Sequence, residues 1–81
     1  MKPGPYADVG QRARQARLAL GWSREKLARL IVERRTLEVT LTGARLMICE
    51  LEDDGLAMNT DVLRYLVALL AIEPPAGGYR Q

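Results

Sequence analysis

The chain has 81 residues, 48% of them hydrophobic and 27% charged, with a formal net charge of +2 and no histidine. That balance fits one folded domain near the lower size limit for a self-sufficient core and excludes a disordered chain. The single cysteine, Cys49, excludes an internal disulfide. No stretch approaches the roughly 20 apolar residues that span a bilayer, and the first residues lack a signal-peptide core, so a reducing cytoplasm is the expected setting.

Charge is unevenly placed. From Gln11 to Arg35 eight Lys or Arg face two acids, a local balance of +6; from Thr36 to Glu73 two Arg face seven acids, a balance of −5. A basic half can attract phosphate backbones, although two solvated helices carrying Arg outward would give the same count.

In chain order, residues 1–7 (MKPGPYA) hold two prolines and a glycine and read as a flexible, loosely packed arm. Asp8 can cap a helix from Val9 to about Leu20, with Val9, Ala13, Ala16 and Leu20 on one face and Gly21 ending it in a left-handed turn. Ser23 is a good N-cap for a second helix that carries Leu27, Ala28, Leu30 and Ile31 inward and runs toward Arg34 or Arg35. Glu25 in its first turn suits the positive end of the helix dipole.

Residues 36–42 (TLEVTLT) alternate Leu37, Val39 and Leu41 with polar residues, which is strand periodicity. A hairpin with "RLMICEL" across Thr42-Gly43 is one reading of residues 36–50. The other, favoured here, has Thr42 capping a helix through Leu51, with Leu46 or Met47, Ile48 and Leu51 inward. "DDG" breaks that helix. Asn59 or Thr60 then caps a last helix from Asp61 to about Ile72, with Leu63, Leu66, Val67 and Leu70 at i, i+3, i+4, i+7. Pro74 and Pro75 stop it, and residues 74–81 read as a flexible tail.

Two stretches, Val9 to Leu30 and Ile48 to Ile72, together resemble the λ-repressor/Cro-type helix-turn-helix family. The first carries Gly10, Arg12, Arg17, Gly21, Trp22, Ser23, Leu27 and Ala28 at the family's usual places; the second carries Ile48, Leu51 and Glu52, then Leu63, Leu66 and Leu70. The resemblance implies a mostly α bundle of four to five short helices over residues 8–73. One departure stands out: Leu27 and Ile48 are 21 positions apart, about ten more than the family's three- or four-residue turn allows.

The resemblance also implies roles. Arg17 and Glu52 fall where the family often places an ion pair joining the first helix to the end of the third, the alternative being two solvated charges. Arg24 and Lys26 would lie near a DNA phosphate, or be plain surface charge. The exposed early positions of the third helix would face base edges: Ala44, Arg45, Leu46 and Glu50, with Met47 beside them. Arg45 could pair with guanine, Glu50 with cytosine, and Ala44 or Leu46 could touch a thymine methyl. Coulomb repulsion opposes this, because Glu50, Asp53 and Asp54 would approach a polyanion.

Trp22 suits the core or its rim better than base stacking, and Cys49, with no His, Lys or second Cys near it in sequence, reads as inert. Without a His, a phosphate-cradling glycine loop or an activated nucleophile, nothing points to an enzyme, a metal or a cofactor. The acidic run Glu50, Glu52, Asp53, Asp54 lacks Ca²⁺-loop spacing and reads as a solvated helix end. The expected function is therefore a sequence-specific DNA-binding regulator of the repressor type, working on double-stranded DNA as a homodimer. The alternative is a degenerate helix-turn-helix that binds a protein partner through Leu46, Met47 and Glu50, as an inhibitor, adaptor or antitoxin.

Overall fold

The computed structural model describes residues 4–57 and 59–79. Among them lie four α-helices, α1 (Ala7–Ala19), α2 (Arg24–Glu33), α3 (Leu41–Asp54) and α4 (Thr60–Leu70), plus a single 3₁₀ turn (Arg35–Leu37). No strand occurs among the described residues, so the hairpin reading of 36–50 does not hold. The mostly helical expectation does.

α3 is the hub. It packs against both α1 and α2, while α4 packs on α1 and, less extensively, on α2. Its buried stripe is Ala44, Ile48 and Leu51, spaced i, i+4, i+7, and it meets Val9 and Ala13 of α1, Leu27, Ala28 and Ile31 of α2, and Leu63, Leu66 and Val67 of α4 in one core. α1 comes unusually near α3. A side chain at Gly10 would drive its Cβ into the Leu51 carbonyl, the carbonyl carbon lying only 2.9 Å away. Only a hydrogen fits there.

The helix boundaries follow local chemistry with some shifts. Ser23 caps α2 as expected, its hydroxyl accepting from the Lys26 N–H at 3.0 Å. Asn59 caps α4, accepting from the N–H groups of Asp61 and Val62. α3 begins two residues early because Thr40, not Thr42, is its cap and accepts from the Gly43 N–H at 3.0 Å. α2 ends at Glu33 rather than Arg34 or Arg35, and α4 ends at Leu70, with Ala71 left-handed at φ 53. The alternation at Leu37, Val39 and Leu41 is real burial without a partner strand. All three rest partly buried on the edge of the core, with Glu38 between them in the left-handed region at φ 51.

Three expectations fail for tertiary reasons. Asp8 does not cap α1, which starts at Ala7. The chain is committed earlier, because the Gly4 N–H donates to Asp54 O and the Tyr6 N–H to Gly55 O, both at 2.8 Å, and Tyr6 is buried. Residues 4–7 are thus docked on the end of α3 rather than loosely packed; residues 1–3 lie outside the described residues. Gly55 makes this docking possible: at φ 68 it ends α3 in the left-handed region, and a Cβ there would strike Ala7. Leu20 does not face inward. It is the C-cap of α1, past the last turn, and is 52% exposed, while Arg17 takes the inward position.

The largely exposed tail is anchored at a few points. Pro75 is buried, Arg12 donates to the Glu73 and Pro74 carbonyls at 3.2 Å, and the Arg64 guanidinium lies 4.9 Å from the Tyr79 ring centre. Arg80 and Gln81 lie outside the described residues.

The α1–α3 approach yields the first prediction. Gly10→Ala forces the two helices apart and should cost at least about 2 kcal/mol in urea unfolding, despite the better helix propensity of alanine. A loss below about 0.5 kcal/mol would show that α1 does not approach α3 this closely.

Candidate nucleic-acid interface

α2 and α3 present their N-terminal turns to solvent, each held by its own hydroxyl cap. On α3 the outward side chains of this half are Thr42, Arg45 and Leu46; the Arg45 side chain is 54% exposed and Leu46 52%. Ala44, expected at a base edge, is fully buried. The reason is angular: Ala44 shares its helix face with Ile48 and Leu51, which the core claims, and so cannot also face outward. Met47 is half-buried against the core, and Glu50 is half-buried and in no ion pair among the described residues.

Toward its C-terminal end the same helix is tied down. The Glu52 side chain is wholly buried and the Arg17 side chain 8% exposed. Arg17 Nε donates to Glu52 Oε2 at 2.9 Å and Nη2 to Oε1 at 3.0 Å, a bidentate pair of the kind the sequence led us to expect. Arg17 Nη1 also donates to the Trp22 carbonyl at 2.8 Å, holding the α1–α2 turn.

Arg24 joins this group and is no free phosphate ligand. Its Nε donates to Glu52 Oε1 at 3.2 Å, its Nη2 to Asp53 Oδ1 at 2.9 Å and its Nη1 to Cys49 Sγ at 3.2 Å. The hydrogen bond to Asp53 is the main cause raising the Arg24 pKa above the ordinary arginine value, with the charge of Glu52 adding to it. DNA could take Arg24 only by breaking contacts it already makes within the chain.

Lys26 stays exposed on the first turn of α2. Beside it, the Glu25 carboxylate is shared between two cations, Arg29 of the same helix at 3.4 Å and Arg45 of α3 at 3.6 Å. At the α2–α3 edge Arg29 and Arg45 therefore face one acid, a local excess of one positive charge, and Lys26 follows that acid in the chain. The Glu25–Arg29 pair has i, i+4 spacing, a local signal that reading Glu25 only against the helix dipole passed over. The Arg24 contacts join residues 25 to 29 positions apart, which no local pattern signals.

Among the described residues no group of three or more His, Cys, Asp or Glu could hold a metal ion, and no helix is long and apolar enough to cross a membrane. Comparison of the chain with protein-family models, with curated proteins and with solved structures gives no match.

Unequal sharing of Glu52 makes a specific prediction. Glu52→Ala strands the buried Arg17, Arg24 keeping Asp53, and should cost about 3–5 kcal/mol, whereas Arg17→Ala leaves Glu52 still paired to Arg24 and should cost less. In thermal melts the Arg17→Ala/Glu52→Ala double variant should lose clearly less than the sum of the two. Small additive losses would mean that the pair does not couple α1 to α3.

Proposed function

We propose that the protein is a DNA-binding regulator of the helix-turn-helix kind that presents α3 to the major groove. The observation that carries this reading is the exposed Arg45 on the N-terminal half of α3, set across a single acid from Arg29, with exposed Lys26 on the same turn of α2 as that acid. Arg45 is the one strong base-edge donor of that half, able to take guanine N7 and O6 together. Lys26 and Arg29 supply sequence-independent phosphate attraction. The Arg17–Glu52 pair, at the positions where the family often joins the first helix to the third, supports the same reading. One such arginine specifies few base pairs, so a homodimer reading two half-sites fits the chemistry better than a monomer.

A second reading has its own observation. Leu46 is 52% and Leu56 43% exposed, and Leu56 borders a small apolar hollow of about 20 Å³ that Met47, Leu51 and Leu63 help to line. An exposed leucine on α3 and a second beside an apolar hollow suit a protein partner, which would make α3 a docking helix.

Substitutions on α3 separate the two. If the helix reads DNA, Arg45→Ala should cost roughly 1–3 kcal/mol on the preferred site and relax preference at one guanine. Leu46→Ala should be mild. Lys26→Ala should weaken binding alike on all sequences and flatten the salt dependence. If the helix binds protein, Leu46→Ala should abolish self-association or partner binding in sedimentation while any duplex affinity by fluorescence anisotropy stays unchanged.

A further inference from the structure

Resting on the DNA-binding reading, we propose that Glu25 is a specificity-determining residue: in the free protein it engages Arg29 and Arg45, so duplex DNA must displace a carboxylate to engage them. Its two oxygens are divided, Oε2 toward Arg29 Nη2 at 3.4 Å and Oε1 toward Arg45 Nη1 at 3.6 Å. No other acid pairs with either cation among the described residues. All three side chains are about half exposed or more, so these contacts are weak and exchange readily with an incoming ligand.

The exchange favours one kind of site over another. A phosphate offers Arg45 a negative charge in place of the one it gives up, and it brings its own charge close to the Glu25 carboxylate, which repels it. A guanine offers Arg45 two aligned acceptors, N7 and O6, without adding a negative charge of its own. Glu25 therefore weakens binding to arbitrary sequence more than binding to a site with guanine opposite Arg45. Specificity here comes from penalising the wrong ligand as much as from attracting the right one.

Glu25→Gln preserves shape and hydrogen-bonding capacity and removes the charge. Glu33→Gln is the matched control, since Glu33 is exposed on the same helix and in no ion pair among the described residues. After thermal melts establish that both variants fold, each is titrated by anisotropy with a short mixed-sequence duplex across a salt series. Glu25→Gln should bind about ten-fold more tightly at low salt, with a log–log salt slope steeper by about one. Glu33→Gln should gain less than about two-fold, as expected for a distant, screened charge. Equal gains in the two variants would reduce the effect to net charge and overturn the role of Glu25. Unchanged affinity in Glu25→Gln, with the wild type binding, would overturn it as well. If neither the wild type nor Glu25→Gln binds duplex even at low salt, the DNA reading itself falls, and this inference with it.

Discussion

A carboxylate taken out of water loses several kcal/mol of hydration unless charges and hydrogen bonds replace the solvent, and the Glu52 side chain is wholly buried. Arg17 replaces part of that solvent with two short N–H contacts and Arg24 with a third. Asp53 pairs with Arg24 in turn, so the four side chains sum to zero charge. Through this one group α1, the α1–α2 turn, α2 and the C-terminal half of α3 are tied together, because Arg17 also holds the Trp22 carbonyl. Apolar packing alone would let α3 slide or rotate between α1 and α2; a bidentate pair tolerates neither.

That constraint divides α3 into two functional halves. The C-terminal half is committed inward, and the N-terminal half projects from it rigidly, with Arg45 two turns from Glu52, about 10 Å along the axis. It also weakens the electrostatic objection to DNA raised by the acidic run at 50–54. Glu52 is neutralised inside the protein and Asp53 is held at 2.9 Å by Arg24. Glu50 and Asp54 remain to repel a polyanion. Arg24 gives up its own availability to DNA in the same contacts, so the cluster takes two cations and two anions out of the electrostatics of the face.

What could be read from the sequence was what short-range rules govern. The caps at Ser23 and Asn59, the apolar spacing of α4 and the inward set Ile48 and Leu51 follow from hydroxyl or amide geometry and a 3.6-residue period. The pairing of Arg17 with Glu52 came from resemblance to a family, since two residues 35 positions apart carry no local signal. What misled were positions decided by neighbours distant in sequence. The N-terminal segment reads as loose because two prolines and a glycine look like a linker, yet Tyr6 finds a buried place only once α3 ends at Gly55. Ala44 was assigned outward from the docking mode that the resemblance implies; it shares a helix face with Ile48 and Leu51, and the core claims that face. Arg24 looked free because its partners lie on another helix.

The seven residues from Arg34 to Thr40 bear on the largest departure from the family's spacing. A connection this long between two helices would ordinarily loosen their relation, since loop ends gain freedom with length. Here the connection is pinned along its course. Arg34 sits 5.2 Å from the ring centre of Tyr65 on α4, the 3₁₀ turn follows, and Leu37, Val39 and Leu41 lie on the edge of the core. The relative placement of α2 and α3 is then set by Leu27, Ala28 and Ile31 against Ala44 and Ile48, and by Arg24 against Glu52 and Asp53. Extra length in the connection changes the path of the chain without having to change the angle at which α3 is presented. Any partner of α3, nucleic acid or protein, therefore meets a face whose orientation is fixed by contacts behind it rather than by the loop that leads into it.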